Sequence, residues 1–215
     1  MATKLLILGK GDNIITMILD NLYSKDIVSS KLKIVLYNNL DLPILNKFDH
    51  EDFNIEIVNK ANLEDYDLFT LGVYQPQHKI KLVQALQPDI KKFFSVIHKG
   101  LDVSKTSTLG GGLLINSKVS IAAQTTIGDF VSINRHVSIG HHTHIEDYCS
   151  INPGVNVAGN VTIGMGSTIG MGTNILHQVK IGKNTIIGAG SVVTKDIPDN
   201  VIAYGSPCKI IRDNV

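Results

Sequence analysis

From residue 115 to residue 193, every sixth position is Ile or Val without interruption: Ile115, Ile121, Ile127, Ile133, Ile139, Ile145, Ile151, Val157, Ile163, Ile169, Ile175, Ile181, Ile187 and Val193. A six-residue period fits neither the 3.6-residue turn of a helix nor the plain alternation of a sheet. It predicts a hexapeptide β-helix, in which short parallel strands wind into a three-sided prism and residues three hexads apart stack. Fourteen hexads make about four and a half coils. An ordinary β-sandwich would lose this phase within two or three strands, because its loops vary in length.

The residue after each aliphatic is small or turn-prone: Gly at 128, 140, 164, 170, 182 and 188, Asn at 116, 134 and 152. Both residue types tolerate positive φ, so a sharp corner is expected there. Two residues before each aliphatic stands a second, small or β-branched residue, from Val119 and Thr125 to Thr185 and Ser191. This is the pattern of a narrow interior that admits one large side chain per face.

The chain has 215 residues and a formal net charge of +1, with no long Lys/Arg run. One or two domains are expected. Nucleic acid and anionic membranes are poor partners for such a charge. No apolar run approaches the roughly 20 residues of a membrane span. The opening MATKLLILGKGD is too short in its apolar part for a signal peptide and reads as a first strand. Two cysteines without metal or disulfide spacing, one of them (Cys149) in the repeat wall, suit a reducing cytoplasm.

The first third follows another rule. Leu5–Leu8 reads as a strand, followed by Gly9, Lys10, Gly11, Asp12 and Asn13 and then a helix to about Tyr23. Lys33–Tyr37, Ile55–Val58 and Asp67–Leu71 read as strands, Gln77–Leu86 as a helix and Phe93–Ile97 as a last strand. Such alternation predicts a small Rossmann-like parallel α/β domain over residues 1–97. An all-β left-handed parallel β-helix with a C-terminal tail is predicted over 98–215, with His98 to Gly112 as the link. A Gly-rich turn after a first strand suits a phosphate or nucleotide, although this one is not the full dinucleotide fingerprint. Asn38 and Asn39 stand where a ribose-binding acid would close the second strand, which argues against a nicotinamide dehydrogenase.

A prism has no deep cleft of its own, so its chemistry must lie on a face or between subunits, and its three-fold shape suits a homotrimer. Histidine is the side chain suited to general-base work near neutral pH. Of His136, His141, His142, His144 and His177, His141 stands out. It lies two residues past an interior Ile, with Gly159 one coil on, leaving room for a narrow ligand. A solvated histidine is the alternative, and His142 and His144 read as surface residues. Asn116, Asn134 and Asn152 share one column, which an Asn ladder at the corner also explains.

The run from Asn134 to Gly164, the α/β half and the closing Gly205, Ser206, Pro207, Cys208 and Lys209 resemble the hexapeptide-repeat sugar acetyltransferases typified by the bacillosamine, perosamine and sialic acid enzymes. The resemblance spans essentially the whole chain. It implies acetyl-CoA as co-substrate, His141 as catalytic base and Asn134 near the reacting centre. Gly159 falls at the thioester end of acetyl-CoA, Met171 and Ala189 along its pantetheine arm, and Gly205, Pro207 and Lys209 at its adenosine phosphate end. Gly9, Gly11, Asp12, Asn13, Asn38, Asn39 and Gly72 fall on the loops that hold the sugar's nucleotide. His142 stands where the family has a carboxylate, so Glu146, Asp147 or a carbonyl are the candidates to orient His141. Ser150 replaces a second histidine that meets the acetyl group.

The function so implied is N-acetylation of a nucleotide-linked 4-amino-dideoxy sugar for a surface glycan, by direct attack and without an acyl-enzyme. The alternatives are O-acetylation of a sialic-type sugar, a non-catalytic trimeric scaffold, and a trimeric zinc enzyme. The last lacks a third ligand in phase with His136 and His141, so no metal is expected.

Overall fold

The computed structural model describes residues 3–9, 11–25, 32–37 and 55–215. Four strands, Thr3–Leu8 (β1), Leu32–Tyr37 (β2), Ile55–Val58 (β3) and Leu68–Leu71 (β4), form a parallel sheet in the order β3-β2-β1-β4. The central strand β1 is apolar on both faces because both are covered. Leu5 and Ile7 meet Ile14, Ile15, Ile18, Leu19 and Leu22 of the helix Asp12–Ser24 (α1). Leu6 and Leu8 meet Leu82 of the helix Pro76–Leu86 (α2) on the other side. Helix α2 starts with Pro76 in its first turn, where no N–H is needed, and stops at Gln87 in a left-handed conformation (φ 43°).

The prism follows the hexad rule. Two-residue strands such as Ser132–Ile133, Ser138–Ile139 and His144–Ile145 each pair in parallel with the strands 18 residues before and after, giving three sheets. Every hexad Ile and Val from 115 to 193 is buried, and so is the second residue from Val119 to Ser191. Where that second residue is polar it satisfies itself on the neighbouring coil. Thr125, Thr143, Ser167 and Thr173 donate to the carbonyls of Gly140, Ala158, Gly182 and Gly188, and the Cys149 thiol donates to Gly164.

Three sequence readings need correction. Phe93–Ile97 is not a last strand of the α/β sheet. Phe93 makes a single bridge to Phe69, whereas Val96–Ile97 pairs with Leu114–Ile115 as the first rung of the prism. The supposed link from His98 to Gly112 is already coil, with strands Asp102–Val103 and Thr108–Leu109. Ile97, Val103 and Leu109 keep the hexad phase; Leu109 hid it from a pattern written in Ile and Val alone. The positive-φ position is three residues past the aliphatic, not one: Lys118, Gln124, Phe130, His136, His142, Tyr148 and Asn160 all lie near +60°. The glycines one residue past serve close approach instead. A Cβ on Gly140 or Gly170 would lie 2.5 Å from backbone of the next coil.

The two halves are welded at one corner of the prism. Phe130 and Tyr148 stack at 5.0 Å between ring centres, and Phe93 packs edge-on to Phe130 at 4.8 Å. Helix α2 lies along the same column. The Gln77 amide donates to Asn184 Oδ1 (2.7 Å), and the buried Lys79 ammonium group donates to the Phe130 carbonyl (2.9 Å), Ser132 Oγ (3.0 Å) and the Cys149 carbonyl (3.2 Å).

Candidate active site

A cleft of about 1250 Å³ opens at the carboxyl ends of β1 and β4. Gly11, Asn13 and Ile14 at the start of α1 line one side, His78, Lys81 and Leu82 of α2 the other, and Asn134, Arg135 and Asn152 of the prism close it. The glycines around it are demanded by packing. Gly9 has φ +98°, a Cβ on Gly72 would lie 2.5 Å from the Gly9 carbonyl oxygen, and one on Gly11 would lie 2.6 Å from that of Gly72. Two backbone turns thus touch, and α1 begins where they meet, its first residue being Asp12. Asn38 and Asn39 lie outside the described residues.

The prism wall of this cleft is a chain of amides. Asn21 of α1 donates to Asn116 Oδ1 (2.9 Å), and Asn116 donates to Asn134 Oδ1 (3.1 Å). Asn152, next in the column, donates instead to the Ile169 carbonyl (2.8 Å). The Tyr74 hydroxyl donates to the Ile151 carbonyl (2.8 Å) and also engages Asn134; burial pushes the phenol's pKa up, so it remains a donor. Ser150 is fully buried and its hydroxyl donates to the Tyr74 carbonyl (2.6 Å). It ties the sheet-to-helix turn to the prism.

His141 stands on a different corner. Its column runs Ala123, His141, Gly159, His177, each 18 residues from the next. The room that Gly159 leaves is filled in this structure by the His141 imidazole, which lies over it. A Cβ there would lie 2.6 Å from His141 Cε1 and 2.7 Å from Nε2. The gap also lets His177, two coils away, bring its ring to 6.3 Å from that of His141. Neither expected acid orients His141. Glu146 accepts from the Met165 amide (3.0 Å) and Asp147 from the Asp129 amide (2.8 Å). The polar contact is His142, whose Nδ1 lies 3.0 Å from His141 Nδ1 with the rings perpendicular. Because the imidazole can swing, Gly159→Ala is expected to change stability by no more than about 1 kcal/mol. It should separate the two rings, which imidazole NMR of the pair would read.

Met171 and Ala189 are exposed and share one column with the exposed Arg135 and the half-buried Pro153, on the corner that carries the cleft. At its far end Gly205 (φ +108°) turns Val201–Tyr204 into the antiparallel Lys209–Asp213, with Pro207 and Cys208 in the turn. The structure therefore gathers Gly11, Asn13, Asn134, Met171, Ala189 and Gly205 along one corner, and His141, His142 and Gly159 on another. Sequence reasoning gave no role to Tyr74, His78, Lys81 or Arg135. His177 carried a signal, lying two coils beyond His141 in register. The residues of α2 carried none, since only the fold turns them into the cleft. Among the described residues no group of three His, Cys, Asp or Glu side chains could hold a metal ion, and no helix is long and apolar enough to cross a membrane.

Residues 142–175 and 160–195 match the bacterial transferase hexapeptide family of six repeats, so the prism carries that family's repeat. Solved structures extend the likeness to nearly the whole chain. PerB from Caulobacter crescentus, in complex with CoA and GDP-perosamine, superposes with a TM-score of 0.81 at 25% identity, over 98% of each chain. A mutant of perosamine N-acetyltransferase from the same organism, with the same ligands, gives 0.81 at 24% over 99% of this chain and 98% of that one. The acetyltransferase domain of PglB from Neisseria gonorrhoeae, with acetyl coenzyme A, gives 0.81 at 22% over 98% and 100%. No curated protein sequence matches the chain.

Proposed function

We propose that this protein is an acetyl-CoA-dependent N-acetyltransferase acting on the amino group of a nucleotide-linked amino sugar in surface-glycan biosynthesis. The observation that carries the reading is the cleft at the ends of β1 and β4, closed by the same prism corner that carries Met171, Ala189 and Gly205. It offers backbone amides at the start of α1 and three basic side chains, His78, Lys81 and Arg135, to a nucleotide diphosphate. The exposed column beyond it suits an extended acyl carrier. The fold shared with PerB, whose structure holds CoA and GDP-perosamine, supports both assignments.

The base and the cleft lie on different corners of one prism. A cyclic homotrimer resolves this, because each corner then faces a neighbour's. The sugar and acetyl-CoA would lie along one protomer's cleft corner, and His141 and Gly159 would come from the next protomer. There the sugar amine attacks the thioester carbonyl, His141 Nε2 takes the amine proton, and the tetrahedral centre collapses with cleavage of the C–S bond. That proton then passes to the departing thiolate.

Thiol release from acetyl-CoA, measured with UDP-, dTDP- and GDP-linked 4-amino sugars beside CMP-sialic and free sialic acids, tests the reading. Release with one amino sugar is expected. Release only with a sialic-type sugar would make the enzyme an O-acetyltransferase, and silence across the panel would overturn the reading.

A further inference from the structure

We infer that His142 positions His141 by accepting a hydrogen bond from its Nδ1–H, so that a neutral imidazole does here what a carboxylate does beside other catalytic histidines. The inference rests on His141 being the base. The two Nδ1 atoms are 3.0 Å apart, and the rings meet at 90° with their centres 5.1 Å apart. His142 occupies the positive-φ position of its corner (φ 56°), immediately after His141, and its amide donates back to the Ala123 carbonyl (3.0 Å). The backbone holding the second ring is therefore fixed by the coil. Gly159 lies under the first ring and leaves it no Cβ to climb over. The carboxylates closest in sequence, Glu146 and Asp147, stand on the Phe130–Tyr148 corner and are engaged by backbone amides. Among the described residues His177 also faces His141, its ring 6.3 Å away, centre to centre, tilted by 56°.

Two neutral imidazoles meeting through their Nδ1 atoms share a single proton, and its location decides the chemistry. If His142 donates, the His141 proton sits on Nε2 and that nitrogen cannot accept another. If His141 donates, Nε2 carries the free lone pair and is the base. When Nε2 then takes the acceptor's proton, the Nδ1–H bond to His142 remains and holds the imidazolium by a dipole instead of a charge. Protonating His142 destroys its acceptor and reverses the bond, so this pair works only while His142 is neutral. A carboxylate in its place would keep the bond at lower pH.

Nitrogen NMR of selectively labelled imidazoles in the wild-type protein at pH 8 tests this without any substrate. His141 is expected as the Nδ1–H tautomer in the wild type and to turn to the Nε2–H form usual for free imidazole in His142→Phe. An Nε2–H His141 in the wild type would overturn the inference. Kinetics gives the second arm, with acetyl-CoA and whichever acceptor releases thiol. His142→Phe should lower kcat by roughly 10- to 100-fold, the usual consequence of removing an outer hydrogen-bond partner, with the KM for acetyl-CoA unchanged. His142→Glu should recover kcat and move the acid limb of the kcat/KM profile, because a fixed negative charge favours the imidazolium. A His142→Phe enzyme with wild-type kcat and pH profile, while His141→Asn is inactive, would overturn the role of His142 alone. Full activity in His141→Asn would overturn the base itself.

Discussion

Replacing His141 by Asn is expected to lower turnover by about 100- to 10,000-fold, the range a positioned general base supplies, while leaving the protein folded. The side chain is exposed at a corner and contributes nothing to the Ile and Val stack within. The change should therefore cost no more than about 0.5 kcal/mol of stability. Asn is the informative substitution because its amide can still donate toward His142 but cannot take up a proton. Thiol release and the thermal midpoint, measured on the same preparation, separate the two effects. Near-normal turnover would remove His141 from the chemistry. A companion result is expected from the one thiol placed in the wall: burial pushes the Cys149 pKa up to about 12, and its proton is given to the Gly164 carbonyl. Protein incubated with labelled acetyl-CoA alone should carry no acetyl group.

The prism was legible in the sequence because its determinants are local and repeated. One Ile or Val every six residues and one small residue two places earlier describe the whole interior, and the structure buries both sets. The reading failed where the repeat changed its residues but kept its geometry. Leu109 and the short rungs at 97 and 103 belong to the same stack, yet look like a connection when only Ile and Val are counted. At the other end the coil shortens by two residues, so that Ile181 bridges Ile197 and Ile187 pairs with Ala203. The period alone could not carry the pattern there.

The candidate site was legible to the extent that its residues obey the stacking rule. His141 over Gly159 follows from an 18-residue step, and so does His177. The meaning of the glycine did not follow. A missing side chain reads equally as space for a ligand or space for a neighbour, and only the ring position decides. His142 was harder, because adjacent residues on a strand point to opposite sides. Its ring reaches His141 only because the corner takes a positive φ there. The cleft was invisible for a different reason. Its walls come from α1, α2 and a prism corner, and the hydrogen bonds that join them link residues 51 to 107 positions apart. Lys79 and Lys81 look alike in a helix read from sequence, yet one is only 1% exposed and the other lines the cleft.

Lys79 leads to a second large effect, in stability. Its ammonium group is enclosed with three acceptors and, among the described residues, no carboxylate, and burial draws its pKa from the ordinary 10.5 down to about 7. Between those two values the unfolded chain holds a proton that the folded chain has released. The lysine's contribution to stability should therefore rise as the pH goes from about 7 to about 10.5, opposed above about pH 9 by the raised Cys149 thiol, and below pH 7 the full cost of the buried charge is present. At 1.36 kcal/mol per pH unit the rise has an upper limit of ~5 kcal/mol. Urea unfolding across this range measures it, and the difference between wild type and Lys79→Met isolates it from other titrating groups. Met fills the same channel without a proton, so the part of the slope that the lysine supplies should be missing in the variant. Equal slopes in the two proteins would refute the assignment. Lys79→Ala is expected to be worse at every pH, by about 2–4 kcal/mol, because it leaves a cavity and takes from the Phe130 carbonyl its lysine donor. The loss should also reach the cleft. Helix α2 is held to the prism by Lys79 and Gln77 and carries His78 and Lys81. Loosening it should weaken binding of the nucleotide sugar more than it raises the KM for acetyl-CoA, because the contacts of that helix with the prism run to Phe130, Ser132, Cys149 and Asn184.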